Sequence, residues 1–182
     1  MPALSTVAYT LGGILLLFGV WAVLAPGAWR RFWLGLPRSR PAAFALTAIA
    51  LGWCAWIILN AYLGRFDGWK PAIYVIAPAI YYLLITYLDE LLASRAVGGL
   101  MLLAANPMFY SARLWDGTSS LRYVIPVAAY AIVLVGVVFV MSPYRLRRCI
   151  DAMSKTDARC RASGAAWTLA GGFVVALGVL VY

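Results

Sequence analysis

Hydrophobic residues fall in six long, nearly unbroken runs along the chain. Each run is 17–22 residues long, close to the roughly 20 residues that an α-helix needs to cross a hydrocarbon core. Runs of this kind, without an amphipathic stripe, are typical of membrane-spanning helices. The sequence therefore predicts an all-α membrane protein, a single transmembrane domain over residues 1–182. Its six spanning helices are predicted at residues 7–25, 42–63, 72–88, 96–112, 124–141 and 165–182.

The positions of the basic residues test this number of crossings. The segments after the first, third and fifth runs hold eleven of the fifteen Lys and Arg residues. Six crossings place these three segments on one side of the membrane, and the positive-inside rule makes that side cytoplasmic. Both termini are then predicted outside the cytoplasm. The absence of an organellar presequence and the Ala- and Arg-rich loops favour a bacterial inner membrane.

The fourth run is the weakest, because Asn106-Pro107 interrupts it. Five crossings would put the two most basic loops on opposite sides, so runs three and four must both cross or both fail to cross. The alternative to six crossings is a four-helix protein in which these two runs form a re-entrant hairpin, lined by protein.

Composition supports lipid as the main solvent and removes several classes of function. The chain is 65% hydrophobic and 12% charged, whereas soluble domains carry roughly 25% charged residues. The net charge of +9 is spread over short loops, which predicts contact with anionic lipid headgroups and no nucleic-acid partner. The chain has no histidine and no CxxC pair, so no catalytic, metal or cofactor site is predicted.

A short pattern occurs twice, at an offset of 117 residues. Gly19, Pro26 and the pair Arg30-Arg31 recur as Gly136, Pro143 and Arg147-Arg148. The pattern predicts a duplication of residues 12–63 at 129–182, although many membrane helices end in a proline and a basic loop. Apolar residues follow each proline at spacings of three and four, which predicts interfacial amphipathic helices. Their predicted apolar faces are Trp29, Phe32, Trp33 and Leu36 in the first copy, and Leu146, Ile150 and Met153 in the second. Arg30, Arg31, Arg147 and Arg148 are the predicted headgroup contacts.

This helix–proline–basic–helix unit resembles a family of very small two-helix bacterial inner-membrane proteins of unknown function. The resemblance covers about 50 residues in each copy and rests on these generic residues. It implies a location in the inner membrane and implies no activity.

Aromatic and amide side chains inside the second, third and fourth runs are candidates for a cavity or a partner contact. A helix kinked at Pro78 and carrying tyrosine hydroxyls could line a cavity. Aromatic residues of this kind also anchor helices at the membrane surface, and amides bond to neighbouring helices. The candidates are Trp53, Trp56, Asn60, Tyr74, Tyr81, Tyr82 and Asn106.

Two further features of the sequence bear on function. Asp89 and Glu90 form an acidic pair that could serve acid–base chemistry or bind a metal, but a surface turn beside Arg95 is the simpler interpretation. Small residues recur at a spacing of four, as at Ala48 and Gly52 or Ala166 and Ala170, and such residues let helices approach closely, either within the chain or in contact with another subunit.

The centres of the runs carry no Asp, Glu, Lys or Arg, and ion-coupled transporters usually place such a group there. The function favoured is therefore a non-catalytic membrane subunit or accessory protein, packing against other membrane proteins or against itself. The alternatives are a small oligomeric transporter or channel with a cavity lined by helices two to four, and a membrane enzyme that acts on lipid.

Overall fold

The computed structural model describes residues 3–36, 39–87, 92–115 and 120–182. The described residues form eight α-helices: α1 Leu4–Leu24, α2 Pro26–Gly35, α3 Arg40–Asn60, α4 Ile73–Tyr87, α5 Leu92–Arg113, α6 Val124–Met141, α7 Pro143–Met153 and α8 Asp157–Leu180. Short 3₁₀ segments at Gly64–Ala72 and Ser120–Tyr123 precede α4 and α6.

Six of these helices are long and apolar enough to cross a membrane, as the hydropathy pattern predicts. The fourth run is one continuous helix that passes through Pro107, so the interruption expected there does not break α5. Together with the segment before it, α4 reaches the length of a spanning helix as well. These lengths favour six crossings over the re-entrant hairpin.

Helices α1 and α8 pack against each other in antiparallel fashion through pairs of glycines. A Cβ atom on Gly12 would lie 2.9 Å from the carbonyl oxygen of Gly171, and a Cβ on Gly171 would lie 2.8 Å from the carbonyl oxygen of Gly12. Seven residues further along α1, Gly19 meets Gly164 with similar closeness. Only glycine permits this approach, because any side chain there would meet the backbone of the other helix.

A second glycine crossing joins α5 to α6. A Cβ on Gly98 would lie 2.8 Å from the carbonyl oxygen of Gly136. Towards the end of the bundle where α6 begins, Ile125, Ala129 and Ala8 are fully buried in a core shared by α1, α5, α6 and α8. The four helices α1, α5, α6 and α8 therefore form the packed centre of the protein.

The short helices α2 and α7 lie at the same end of this bundle and contact each other. Both follow the same backbone turn: Ala25 has φ −132° and ψ 65°, and Ser142, 117 residues later, has φ −131° and ψ 73°. A proline then occupies the first turn of each short helix, where its fixed φ suits a helix start. The agreement supports the duplication, which stays a prediction. The contact between α2 and α7 brings the two most basic stretches of the chain together.

Helices α3 and α4 form an arm at the side of the bundle. Helix α3 packs on α5 around Ala43, Leu92 and Ala93. Helix α4 packs mainly on α3, where the Tyr81 hydroxyl donates to the carbonyl oxygen of Phe44 at 3.4 Å. No described residue of α4 is buried. The arm therefore presents most of the surface of α4 to its surroundings.

Candidate functional site: an aromatic cleft under the short helices

A cleft of about 400 Å³ lies where α2 and α7 meet the bundle. Helix α7 supplies one wall, through Leu146, Cys149, Ile150 and Met153. Leu146, Ile150 and Met153 are separated by three, four or seven residues and fall on one face of the helix, and Cys149 lies beside them, three residues after Leu146 and four before Met153. The apolar face predicted for α7 is therefore turned towards the cleft, with Leu146 and Ile150 buried.

Helices α1 and α2 supply an aromatic wall. The turn at Ala25 folds α2 back so that Trp29 and Trp33 meet Phe18 of α1, with ring centroids 5.8 Å and 6.1 Å from that of Phe18. The two indoles also contact each other at 5.4 Å. Phe32 lies outside the cleft, against Trp21. Aromatic groups held in this way make a rigid apolar surface.

The remaining walls come from the long helices, through Leu15, Met101, Val135, Phe139 and Trp167. Leu15 lies nine residues before the end of α1, which is about 13.5 Å along a helix. The cleft therefore extends from the level of the short helices well into the bundle. Phe18, Val135 and Trp167 remain 38%, 40% and 43% exposed, and Cys149 on α7 is exposed as well, so the lining is accessible both along the long helices and beside α7.

One polar atom of the cleft wall lacks a partner. The indole Nε1 of Trp33 is buried and has no hydrogen-bond acceptor among the described residues. A buried donor without an acceptor costs about 1–3 kcal/mol. The other lining side chains are mainly apolar, so the described lining supplies no acceptor for this N–H.

Arginines surround the end of the bundle at which the cleft lies. Arg30 and Arg31 are exposed on α2, and Arg148 is exposed on α7, with its guanidinium 5.9 Å from the ring of Tyr144. A hydrogen bond with Arg145, together with the positive charges of Arg145 and Arg148, holds the pKa of the Tyr144 hydroxyl below its usual value. The surface beside the cleft is therefore strongly positive.

Arg147, the fourth arginine predicted to contact headgroups, is half-buried. The Nε atom of Arg31 donates to the carbonyl oxygen of Gly27 at 3.4 Å, within its own helix. Contact of these arginines with lipid stays a prediction.

The candidate residues of α3 lie away from this cleft. Trp53 is half-buried, while Trp56 and Asn60 are exposed. Asn60 donates from Nδ2 to the carbonyl oxygen of Trp56 at 2.8 Å, so this hydrogen bond lies within α3 and does not join two helices.

The other candidates for a cavity are similarly placed. Tyr74 and Tyr82 are exposed on α4, Tyr81 binds to α3, and Asn106 is exposed on α5. None of them lines the aromatic cleft. They remain candidates for a partner contact.

The acidic pair Asp89 and Glu90 lies outside the described residues. Within the residues that the structure describes, no three His, Cys, Asp or Glu side chains come together as metal ligands.

The sequence predicts two of the apolar faces that line the cleft, but it does not predict the cleft. The spacing of Trp29 and Trp33, and of Leu146, Ile150 and Met153, predicts the apolar faces that form its walls. The pattern could not show that these two faces meet, because they are separated by more than 100 residues of chain.

Comparison of the chain with protein-family models, with curated protein sequences and with solved structures gives no match.

Proposed function

We propose that this protein is a non-catalytic membrane subunit that assembles with another membrane protein through the outward face of the α3–α4 arm. The observation that carries the proposal is the pair of hydroxyls on Tyr74 and Tyr82. These side chains are 71% and 69% exposed, and their hydroxyls have no hydrogen-bond partner among the described residues.

The depth of these hydroxyls makes their exposure costly. The span that contains α4 covers Asp67–Tyr87 and is centred on Ala77. Tyr74 and Tyr82 lie three and five residues from this centre, or about 4.5 Å and 7.5 Å along the helix. Half of a hydrocarbon core is about 15 Å. An unpaired hydroxyl in an apolar medium costs about 1–3 kcal/mol, and a helix of a partner protein can supply the acceptors.

The outward face of α3 is shaped for the same contact. Ala48 and Gly52 are exposed, and a Cβ atom on Gly52 would meet nothing within 4 Å. Trp56 follows one turn later and is also exposed. Small residues at a spacing of four let a second helix approach closely, and an adjacent tryptophan supplies a large contact area.

We expect Gly52→Phe to lower the amount of partner that co-purifies with the protein by about tenfold, equivalent to roughly 1.4 kcal/mol of binding free energy. The new ring would hold a partner helix away from α3. The measurement is quantitative mass spectrometry of proteins retained by the tagged chain in a mild detergent.

The matched control is Gly172→Phe on α8, where a Cβ atom likewise meets nothing within 4 Å. Loss of partner in both variants, or in neither, would contradict the role of the α3–α4 arm. A pure homo-oligomer without any companion protein would overturn the subunit proposal.

We also propose that the protein lies in a bacterial inner membrane with α2 and α7 on the cytoplasmic side and both termini outside. The positive-inside rule supports this orientation, because both short helices carry arginine pairs. Cys149 is an exposed native thiol on α7 that can report on this side of the membrane.

We expect an impermeant maleimide to leave Cys149 unlabelled in intact cells and to label it after permeabilisation. Trp69→Cys, made in a Cys149→Ser background, should be labelled in intact cells, because Trp69 is exposed at the opposite end of the bundle. Cys160 cannot serve as a reporter because it is fully buried. Labelling of Cys149 from outside would reverse the orientation.

A further inference from the structure

We infer that the aromatic cleft holds one acyl chain of an anionic glycerophospholipid from the membrane leaflet on the side of α2 and α7. This inference does not depend on the proposed role of the α3–α4 arm. It rests on the depth of the cleft, the side on which it opens, the unpaired Trp33 donor and the arginines nearby.

The dimensions of the cleft suit a hydrocarbon chain. It extends about 13.5 Å along α1, from the level of the short helices to Leu15, and one leaflet of the hydrocarbon core is about 15 Å thick. Its volume of about 400 Å³ lies within the range of ligand pockets, roughly 300–1,000 Å³. Met101 and Met153 add flexible side chains, which adapt to a chain without a fixed shape.

The opening of the cleft faces the place where lipid lies. Three of the exposed lining residues, Phe18, Val135 and Trp167, belong to the long helices α1, α6 and α8. The fourth, Cys149, lies on α7 at the level of the arginines. A lipid in the bilayer can therefore enter sideways, with no need to leave the membrane. A water-soluble ligand that entered between the long helices would have to pass an apolar entrance, which disfavours it.

The polar groups beside the cleft suit the headgroup end of the same phospholipid. Trp33 lies on α2, near the boundary between the hydrocarbon and the headgroups, and its buried Nε1 has no acceptor. The ester carbonyl oxygen of a glycerophospholipid lies at this boundary and can accept that hydrogen bond once the indole turns towards the cleft. Arg30, Arg31 and Arg145 are exposed around the site, and each basic residue near a membrane surface favours anionic over neutral lipid.

The test uses the full chain in lipid vesicles that contain a trace of phosphatidylglycerol with a photoreactive diazirine halfway along one acyl chain. After irradiation, adducts are mapped by mass spectrometry of peptides. We expect adducts on α7 and on the α1–α2 segment. They should be about fivefold fewer when the same chain is carried by phosphatidylcholine, because the arginines then lose an anionic headgroup.

Two substitutions test the cleft itself. Met101→Trp fills it and should reduce the adducts on α7 at least fivefold, while adducts on α4 serve as an internal standard and should persist. The matched control is Met141→Trp, which places the same side chain on an exposed position of α6 outside the cleft. Trp33→Phe removes the N–H while keeping an aromatic ring, and should weaken retention of the lipid about fivefold, whereas Trp69→Phe should not.

Thermal unfolding of each variant shows whether it is folded. If Met101→Trp is not folded, Val135→Trp fills the cleft from α6 and Trp33→Phe gives an answer by itself. Adducts spread evenly over the outer faces of all helices, or unchanged adducts on α7 in the folded filled variants, would overturn the inference.

Discussion

Gly171→Val should destabilise the protein by about 3 kcal/mol or more, above the usual 1–3 kcal/mol range for overpacked cores. A Cβ atom at this position would lie 2.7 Å from the backbone nitrogen of Leu16 and 2.8 Å from the carbonyl oxygen of Gly12. Backbone atoms of a helix cannot turn aside as a side chain can. The α1–α8 pair would therefore have to separate over most of its length to admit the valine.

The neighbouring glycine provides the control. A Cβ atom on Gly172 would meet nothing within 4 Å, so Gly172→Val should change stability by less than about 0.5 kcal/mol, as surface substitutions usually do. The two variants have the same composition, hydropathy and helix propensity. They can be compared by thermal unfolding in detergent, followed by size-exclusion chromatography. Equal stability of the two variants would show that α1 and α8 do not cross at Gly171.

The number of long helices could be predicted from the sequence, but their ends could not. Hydropathy predicts six long helices because a run of apolar residues reports directly on the solvent around it. It does not report helix ends: α8 begins at Asp157, eight residues before the predicted run. The basic first turns of α8 are helical but polar, and Thr156 caps them by accepting a hydrogen bond from the Arg159 N–H at 3.3 Å.

Helix contacts were harder to predict than helices. Small residues at a spacing of four, such as Ala48 and Gly52, predicted close packing either within the chain or against another subunit. Both are exposed, so they do not form a close contact within the described chain. The contacts that form use a spacing of seven, with Gly164 and Gly171 on α8. Two helical turns return a residue to almost the same face, so both spacings are compatible with a seam. Whether the spacing of four or the spacing of seven forms the contact depends on the face that the neighbouring helix presents. A single sequence does not show which face that is.

The cleft could not be predicted from the sequence for a related reason. Its lining comes from α1, α2, α5, α6, α7 and α8, and only the two short helices carry a periodic pattern that marks one face. In the long helices every face is apolar, because lipid covers what protein does not. Met101 and Val135 therefore look like any other spanning residue until the helices are placed together.

The duplicated pattern gains a physical meaning at its glycine. Gly19 and Gly136 occupy the same place in the two copies, seven residues before the proline. Each lies at a close helix crossing, Gly19 with Gly164 of α8 and Gly136 with Gly98 of α5. The recurring glycine thus sets how closely a long helix approaches its neighbour, two turns before the chain bends into a short helix.

The second of these crossings leads to a prediction of similar size. Gly98→Val should destabilise the protein by about 3 kcal/mol, because a Cβ atom there would lie 2.8 Å from the carbonyl oxygen of Gly136 and 3.0 Å from the backbone nitrogen of Val140. Gly99→Val is the matched control, since a Cβ atom on Gly99 meets nothing within 4 Å. Thermal unfolding of the two variants measures the difference.

The Gly98→Val and Met101→Trp variants together distinguish loss of stability from loss of lipid binding in the cleft. Met101 lies on α5 about one turn beyond Gly98 and faces the cleft, so moving α5 away from α6 would shift one wall. Gly98→Val should therefore reduce both stability and the lipid adducts on α7, whereas Met101→Trp should reduce the adducts alone. A Gly98→Val protein that unfolds like Gly99→Val would mean that α5 and α6 are not held together at Gly98 and Gly136. The position of the cleft wall would then have to be explained by another contact.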